Sequence, residues 1–206
     1  MRLEDIAAMV VKAVREAQPE GPFYLGGYCD MGVLAYEAAV QLTSSGHVVD
    51  LVVLLDTSSP VARWKTRRLE LFFSRLRYHL RRLWRLRGQA RRDYIATKFH
   101  DVKGTVGLRP RETWEELSQT IKSYRPSAFP GDLILFQSAD RLDAIDNEPA
   151  WRETVRGTMI AQDTPGDHYN MLEEPRVGQL GSALNDALVK AQEPNFDLHE
   201  RAECTG

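Results

Sequence analysis

Apolar residues recur at intervals of three and four from the start of the chain: Leu3, Ile6, Ala7, Met9, Val10, Ala13 and Val14 line up on one helical face. Pro19, Gly21 and Pro22 end the run, which predicts a helix over residues 3–17. The period then changes. Phe23 to Leu25 is a short apolar run, Val33 to Leu42 returns to helical spacing within a helix expected over 32–43, and Ser44, Ser45 and Gly46 turn the chain. From His47 to Leu55, Val and Leu dominate with only Asp50 inside, and Asp56-Thr57-Ser58-Ser59-Pro60 follows. Branched apolar residues at that density, bounded by turns, predict a strand buried on both faces of a parallel sheet. Asp132 to Gln137 and Thr158 to Ala161 repeat the theme, with helical patterns at 147–156 and 172–191. Strand and helix alternate, so the fold class is α/β with a mostly parallel sheet flanked by helices.

One interval breaks the alternation. Residues 61–125 are helical in pattern throughout and read as an inserted helical subdomain. Within it Leu69, Phe72, Phe73, Leu76, Leu80, Leu83 and Trp84 form an apolar stripe. Between Arg63 and Arg92 there are twelve Lys or Arg against one acid, Glu70, a local charge of +11. The whole chain carries -2, so the remainder carries -2 minus 11, or -13. A cationic amphipathic helix suits an acidic partner or a membrane surface. Nucleic acid is not expected, because the arginines lack a recognised binding framework.

With 206 residues and 43% hydrophobic content, the chain has material for one domain, expected over 1–192. The polar stretch 193–206 lacks periodicity and reads as a disordered tail. No run of about 18 apolar residues occurs, and the first helix contains acids, so neither a membrane span nor export is expected; a cytoplasmic setting is. Cys29 and Cys204 do not suggest a disulfide framework, which fits a reducing compartment. His and Cys are scattered without ligand spacing, so no metal is expected. No phosphate loop of the G-x-x-x-x-G-K type occurs either.

The chemistry gathers around Gly26-Gly27-Tyr28-Cys29-Asp30-Met31-Gly32, where a strand passes abruptly into a helix with Cys29 at the apex. This is the pattern of the nucleophile elbow, G-x-S-x-G, of the α/β-hydrolase fold, with sulfur replacing oxygen. Gly27 and Gly32 are expected to give the room the turn needs, and Met31, standing where the pattern has Gly, to crowd it. A sulfur nucleophile needs a base and a group that orients the base, in the chain order nucleophile, acid, histidine. Asp56 directly follows the strand after the elbow, and His168 lies in the loop Thr164-Pro165-Gly166-Asp167-His168-Tyr169 after the last strand. Both emerge at the edge where open α/β sheets place their sites. Asp140, following the Asp132–Gln137 strand, is a rival acid. The remaining histidines, His47, His79, His100 and His199, are placed less suitably.

Three blocks together carry a resemblance: PEGPFYLGGYCDMGVLAYEAAVQLTSSGHVVDLVVLLDTSSP, YRPSAFPGDLILFQS and TPGDHYNMLEEPRV. In this order and spacing, across roughly residues 3–190, they resemble the type I thioesterase domain of nonribosomal peptide synthetases and polyketide synthases. The resemblance implies an α/β-hydrolase fold, Cys29 as nucleophile, Asp56 as acid and His168 as base. It makes the 61–125 insert look like a lid over an acyl channel, with its stripe packed on the body or lining that channel. It also implies an acyl or peptidyl substrate carried on the phosphopantetheine arm of an acidic carrier protein, with no bound cofactor, and makes the basic segment Arg63 to Arg92 a docking surface for that carrier.

Two departures bear on activity. Serine is usual where Cys29 stands; a thiol, with a reference pKa near 8.5, is more readily ionised than an alcohol, and its acyl-enzyme remains a thioester open to water, amines or hydroxyls. Members of the family also begin with further strands and a loop supplying a second oxyanion N–H. Here the N–H of Asp30 is the one donor expected, and losing an oxyanion donor typically costs on the order of a hundredfold to a thousandfold in rate. The absent N-terminal strands would leave an apolar sheet edge, to be covered by a dimer partner or by a further N-terminal segment. Two rival readings are a cysteine esterase resembling dienelactone hydrolase, which shares the elbow without the flanking blocks, and a noncatalytic carrier-docking module.

Overall fold

The structure, a computed structural model, describes residues 1–65, 68–85, 87–89, 92, 110–141 and 146–192. Helix α1 (Leu3–Ala17) precedes strand β1 (Phe23–Tyr28), helix α2 (Asp30–Ser44) and strand β2 (Val49–Leu55). Helices α3 (Pro60–Lys65), α4 (Arg68–Arg85) and α5 (Pro110–Ser123) follow, then β3 (Asp132–Ser138), α6 (Asn147–Arg152), β4 (Met159–Thr164) and α7 (Arg176–Ala191). The four strands form one parallel sheet in the order β1-β2-β3-β4. Its register places Tyr28 beside Leu55, Leu55 beside Phe136 and Ser138 beside Thr164, so the C-terminal ends of all four strands share one rim.

Strand β2 shows why the sheet has this form. Its residues alternate between two cores: Val49, Val52 and Leu54 on one face, Leu51 and Val53 on the other. The first face meets α1, α2, α5 and α6 through Leu3, Val33, Tyr36, Ile121 and Trp151; the second meets α7 through Leu180, Ala187 and Ala191. Covered on both faces, the strand can be apolar throughout. Strand β1 pairs with β2 alone and forms one sheet edge among the described residues.

Several boundaries differ from expectation. Strand β2 begins at Val49, and β4 runs on to Thr164, because its pairing with β3 continues while Gln162 and Asp163, on an edge strand, face solvent. Helix α2 runs from Asp30 to Ser44, longer at each end than 32–43. Helix α6 stops at Arg152, since Val155 forms a bridge to Phe129, and α7 starts only at Arg176, after Pro175.

The insert is helical where described. Ile121 of α5 is fully buried in the core, and Tyr124 donates a hydrogen bond to the buried Glu37 of α2, fixing this end of the insert to the body. The stripe of α4 departs from expectation. Phe72 is 61% exposed and Trp84 87%, and Leu69, Phe73, Leu76 and Leu80 are exposed too, so the stripe does not pack on the body. Among the described residues, the buried position on this helix is Ser74, on the opposite side at 3.6 residues per turn. No helix of the described residues is long and apolar enough to cross a membrane. The tail 193–206 lies outside the described residues, as does most of the stretch 86–109.

Candidate active site

The passage from β1 to α2 is the elbow. Cys29 has φ 57° and ψ -132°, a conformation that side chains disfavour and that persists only where surrounding packing imposes it. The packing is identifiable. A Cβ on Gly27 would lie 2.4 Å from the carbonyl oxygen of Met31, and one on Gly32 would lie 2.0 Å from Thr57 Oγ1. The close approach therefore falls on Gly32 and not on residue 31, and Met31 is accommodated half-buried instead of crowding the turn. Thr57 is itself fixed: it is fully buried, and its carbonyl accepts a hydrogen bond from Trp151 Nε1 at 3.1 Å.

Gly32→Ala is expected to destabilise the fold by about 1–3 kcal/mol through overpacking against Thr57. Denaturant unfolding checks this, and Thr57→Ala in the same chain, by deleting Oγ1, should restore part of the loss.

Asp56 also lies in the left-handed region, at φ 46°. This turns its carboxylate back over the sheet rim, where Oδ1 accepts from the backbone N–H of Ser138 at 2.8 Å and Oδ2 accepts from His168 Nδ1 at 2.7 Å. Cys29 stands near enough to the same imidazole to contribute to its raised proton affinity. With Nδ1 committed to Asp56, Nε2 is the ring nitrogen left for sulfur. Cys29, His168 and Asp56 thus come together although 139 residues separate the first two in sequence.

The carboxylate bonded to the imidazole is that of Asp56 and not that of Asp140. The backbone N–H of Asp140 bonds to Gly166 O at 2.9 Å. Asp30 opens α2 directly after Cys29, which puts its backbone N–H at the helix N-terminus. Among the described residues, no group of three or more His, Cys, Asp or Glu is arranged to hold a metal.

The loop bearing His168 is built around a buried carboxylate. Asp167 Oδ1 accepts from the backbone N–H groups of Tyr169 at 2.9 Å and Asn170 at 3.2 Å, while Asn170 Nδ2 donates to Oδ2 at 3.1 Å. Gly166, at φ 101°, starts the turn. Asp167 thus bonds its own loop and leaves the imidazole to Asp56.

Burial would raise the Asp56 pKa, but the bonds from His168 and Ser138 outweigh it and hold the carboxyl below its usual range. His168 is lifted from 6.5 to about 10, by its bond to Asp56 first and by the nearby Cys29 second, against the opposing effect of burial. The raised His168 value contributes stability in full below about pH 6.5 and loses it as pH rises toward 10. The lowered Asp56 value contributes above about pH 3.8 and is lost as pH falls further. The Tm difference between the wild type and His168→Gln should therefore be largest between about pH 4 and 6.5 and shrink on either side.

Sequence reasoning missed Thr57, the Ser138 N–H and the Asp167–Asn170 lock. Thr57 and Ser138 act through packing and a backbone group, which leave no mark in composition. Asp167, directly before His168, carried a legible signal as an Asx-turn residue.

A parallel sheet whose C-terminal rim gathers an elbow cysteine, a carboxylate and an imidazole has the form of the α/β-hydrolase fold. The chain belongs to the thioesterase domain family, whose profile matches residues 1–188, and is by class a hydrolase of thioesters. It is 28% identical over 205 residues to the non-reducing polyketide synthase terA of Aspergillus terreus, a match covering 92% of this chain and 10% of that protein. It is 39% identical over 75 residues to the non-reducing polyketide synthase Preu8 of Preussia isomera, covering 36% and 4%. The chain thus spans a tenth or less of the length of these relatives. Among solved structures its fold resembles the NocB thioesterase domain in covalent complex with a fluorophosphonate nocardicin G analog, with TM-score 0.64 and 23% identity, covering 91% of this chain and 75% of that one. It also resembles the four-domain nonribosomal peptide synthetase holo-AB3403, with TM-score 0.64 and 22% identity, covering 90% and 16%.

Proposed function

We propose that this chain releases an acyl or peptidyl chain from a carrier protein's phosphopantetheine thioester through an acyl-enzyme on Cys29. The observation that carries the reading is the His168 ring, bonded through Nδ1 to the Asp56 carboxylate at the rim where Cys29 occupies the elbow. In the reactive form the thiol proton already resides on His168, whose raised proton affinity holds it there, and sulfur attacks the carbonyl carbon as the thiolate. A new C–S bond forms, the substrate's C–S bond breaks, and His168 returns the proton to the departing pantetheine sulfur. Water, or an amine or hydroxyl of the substrate itself, then takes the acyl group as His168 removes its proton. Asp56 fixes the ring's orientation and offsets its charge, and the Asp30 N–H stabilises the developing oxyanion.

The carrier docks on the basic segment Arg63 to Arg92, whose local charge of +11 complements an acidic protein. Turnover of an acyl-loaded carrier, followed by release of free pantetheine thiol, tests both parts. The expected result is thiol release whose kcat/KM falls with added salt, whereas release from a small acyl thioester is insensitive to salt. No thiol release from either substrate, with hydrolysis of a small lactone instead, would overturn the reading.

A further inference from the structure

We infer that Tyr28, the residue before the proposed nucleophile, is a positioning residue that clamps the His168 imidazole from one face and holds its backbone through the phenol. The inference rests on the acyl-transfer reading above and extends it. Two independent contacts carry it. The phenol ring stacks on the imidazole, with centroids 4.9 Å apart and planes 17° from parallel. Its hydroxyl donates to the backbone carbonyl of His168 itself, spanning 140 residues of sequence. A ring held both in plane and at its own backbone keeps little freedom about χ1 and χ2, so Nδ1 stays on Asp56 and Nε2 keeps a fixed direction at the rim. Tyr169 meets the imidazole edge-on at 5.4 Å but is 73% exposed, whereas Tyr28 is half-buried, so the more sheltered restraint comes from Tyr28.

The clamp has an electrostatic side. A stacked aromatic face favours the protonated imidazole, the form that must deliver a proton to the leaving sulfur. Burial, with the nearby Cys29 and Asp56 adding, pushes the Tyr28 hydroxyl up to about 12, so it remains a donor throughout the range in which the triad works and does not itself shuttle protons. The placement follows from the fold. The elbow puts its central cysteine on the rim, and the alternation of β1 sends the preceding side chain to the face where the His168 loop closes over the strand ends.

Two variants separate the contacts. Tyr28→Phe keeps the stack and loses the hydroxyl; Tyr28→Leu loses both. With a small acyl thioester, Tyr28→Phe should lower kcat by about threefold to tenfold and Tyr28→Leu by about a hundredfold, with KM little changed, as expected when orientation and not binding is lost. The His168 titration midpoint, followed by NMR and assigned with His168→Ala, should stay in place in Tyr28→Phe and fall in Tyr28→Leu, a change that general loosening of the fold would not grade in this way. Wild-type kcat and an unmoved His168 midpoint in Tyr28→Leu would overturn the inference while leaving the acyl-transfer reading intact. If Tyr28→Leu fails to fold, wild-type kcat in Tyr28→Phe overturns the clamp. Full activity in His168→Ala would remove the acyl-transfer reading, and the inference with it.

Discussion

Replacing His168 by alanine is expected to lower the rate of Cys29 acylation at neutral pH by at least about a thousandfold, the scale seen when one member of a cooperating catalytic set is removed. The imidazole is bonded to the Asp56 carboxylate and stands near Cys29, so its loss removes the holder of the thiol proton and the donor to the leaving sulfur together. Acylation measured with a small thioester isolates the chemical step from carrier docking. His168→Ala and Cys29→Ala should be equally inactive, and the double variant no worse than either, because the two groups act as a unit.

The second large effect separates two carboxylates. Asp56→Asn should lower kcat by about a thousandfold to ten-thousandfold, since an amide can present the wrong partner to Nδ1 and leaves the ring's charge unopposed. Asp140→Asn should leave kcat within about twofold, because the imidazole bonds to Asp56 and not to Asp140. The two variants, assayed side by side under saturating small thioester, decide which strand end supplies the acid. Equal losses in both would mean that the rim is organised differently from the geometry described above.

Much of this site was legible before any coordinates. The elbow is a local signal, because a strand, a turn and a helix must meet within a few residues, and the glycines mark where backbone approaches backbone. Asp56 and His168 could be placed at the correct rim because parallel strands deliver their C-terminal ends to one side. What could not be read was how the rim is held. The clash that makes Gly32 necessary involves Thr57, a contact across the sheet with no periodic trace. The donor to Asp56 is the backbone N–H of Ser138, which any residue could supply. The stacking of Tyr28 on His168 joins residues at opposite ends of the chain.

The fold shows the same division. The density of Val and Leu in β2 announced a strand covered on both faces, and α1 on one face with α7 on the other meets that expectation. Strand ends were less visible: β4 continues through Gln162 and Asp163 because its backbone pairing with β3 does not depend on those side chains. Helix α4 gives the clearest lesson. Its period predicted an apolar stripe correctly, but periodicity gives the angular position of a stripe on a helix, not the direction in which the helix is rolled. Ser74 is the buried position, and Phe72, Phe73 and Trp84 are exposed.

The most direct test is the intact mass of the protein after brief mixing with an acyl-loaded carrier, followed by peptide mapping. An added mass equal to one acyl group, confined to the peptide containing Cys29, absent in Cys29→Ala and discharged over time in the wild type, is the predicted result. Turnover of the loaded carrier with no acyl adduct at any time, or an adduct on another residue, would contradict it.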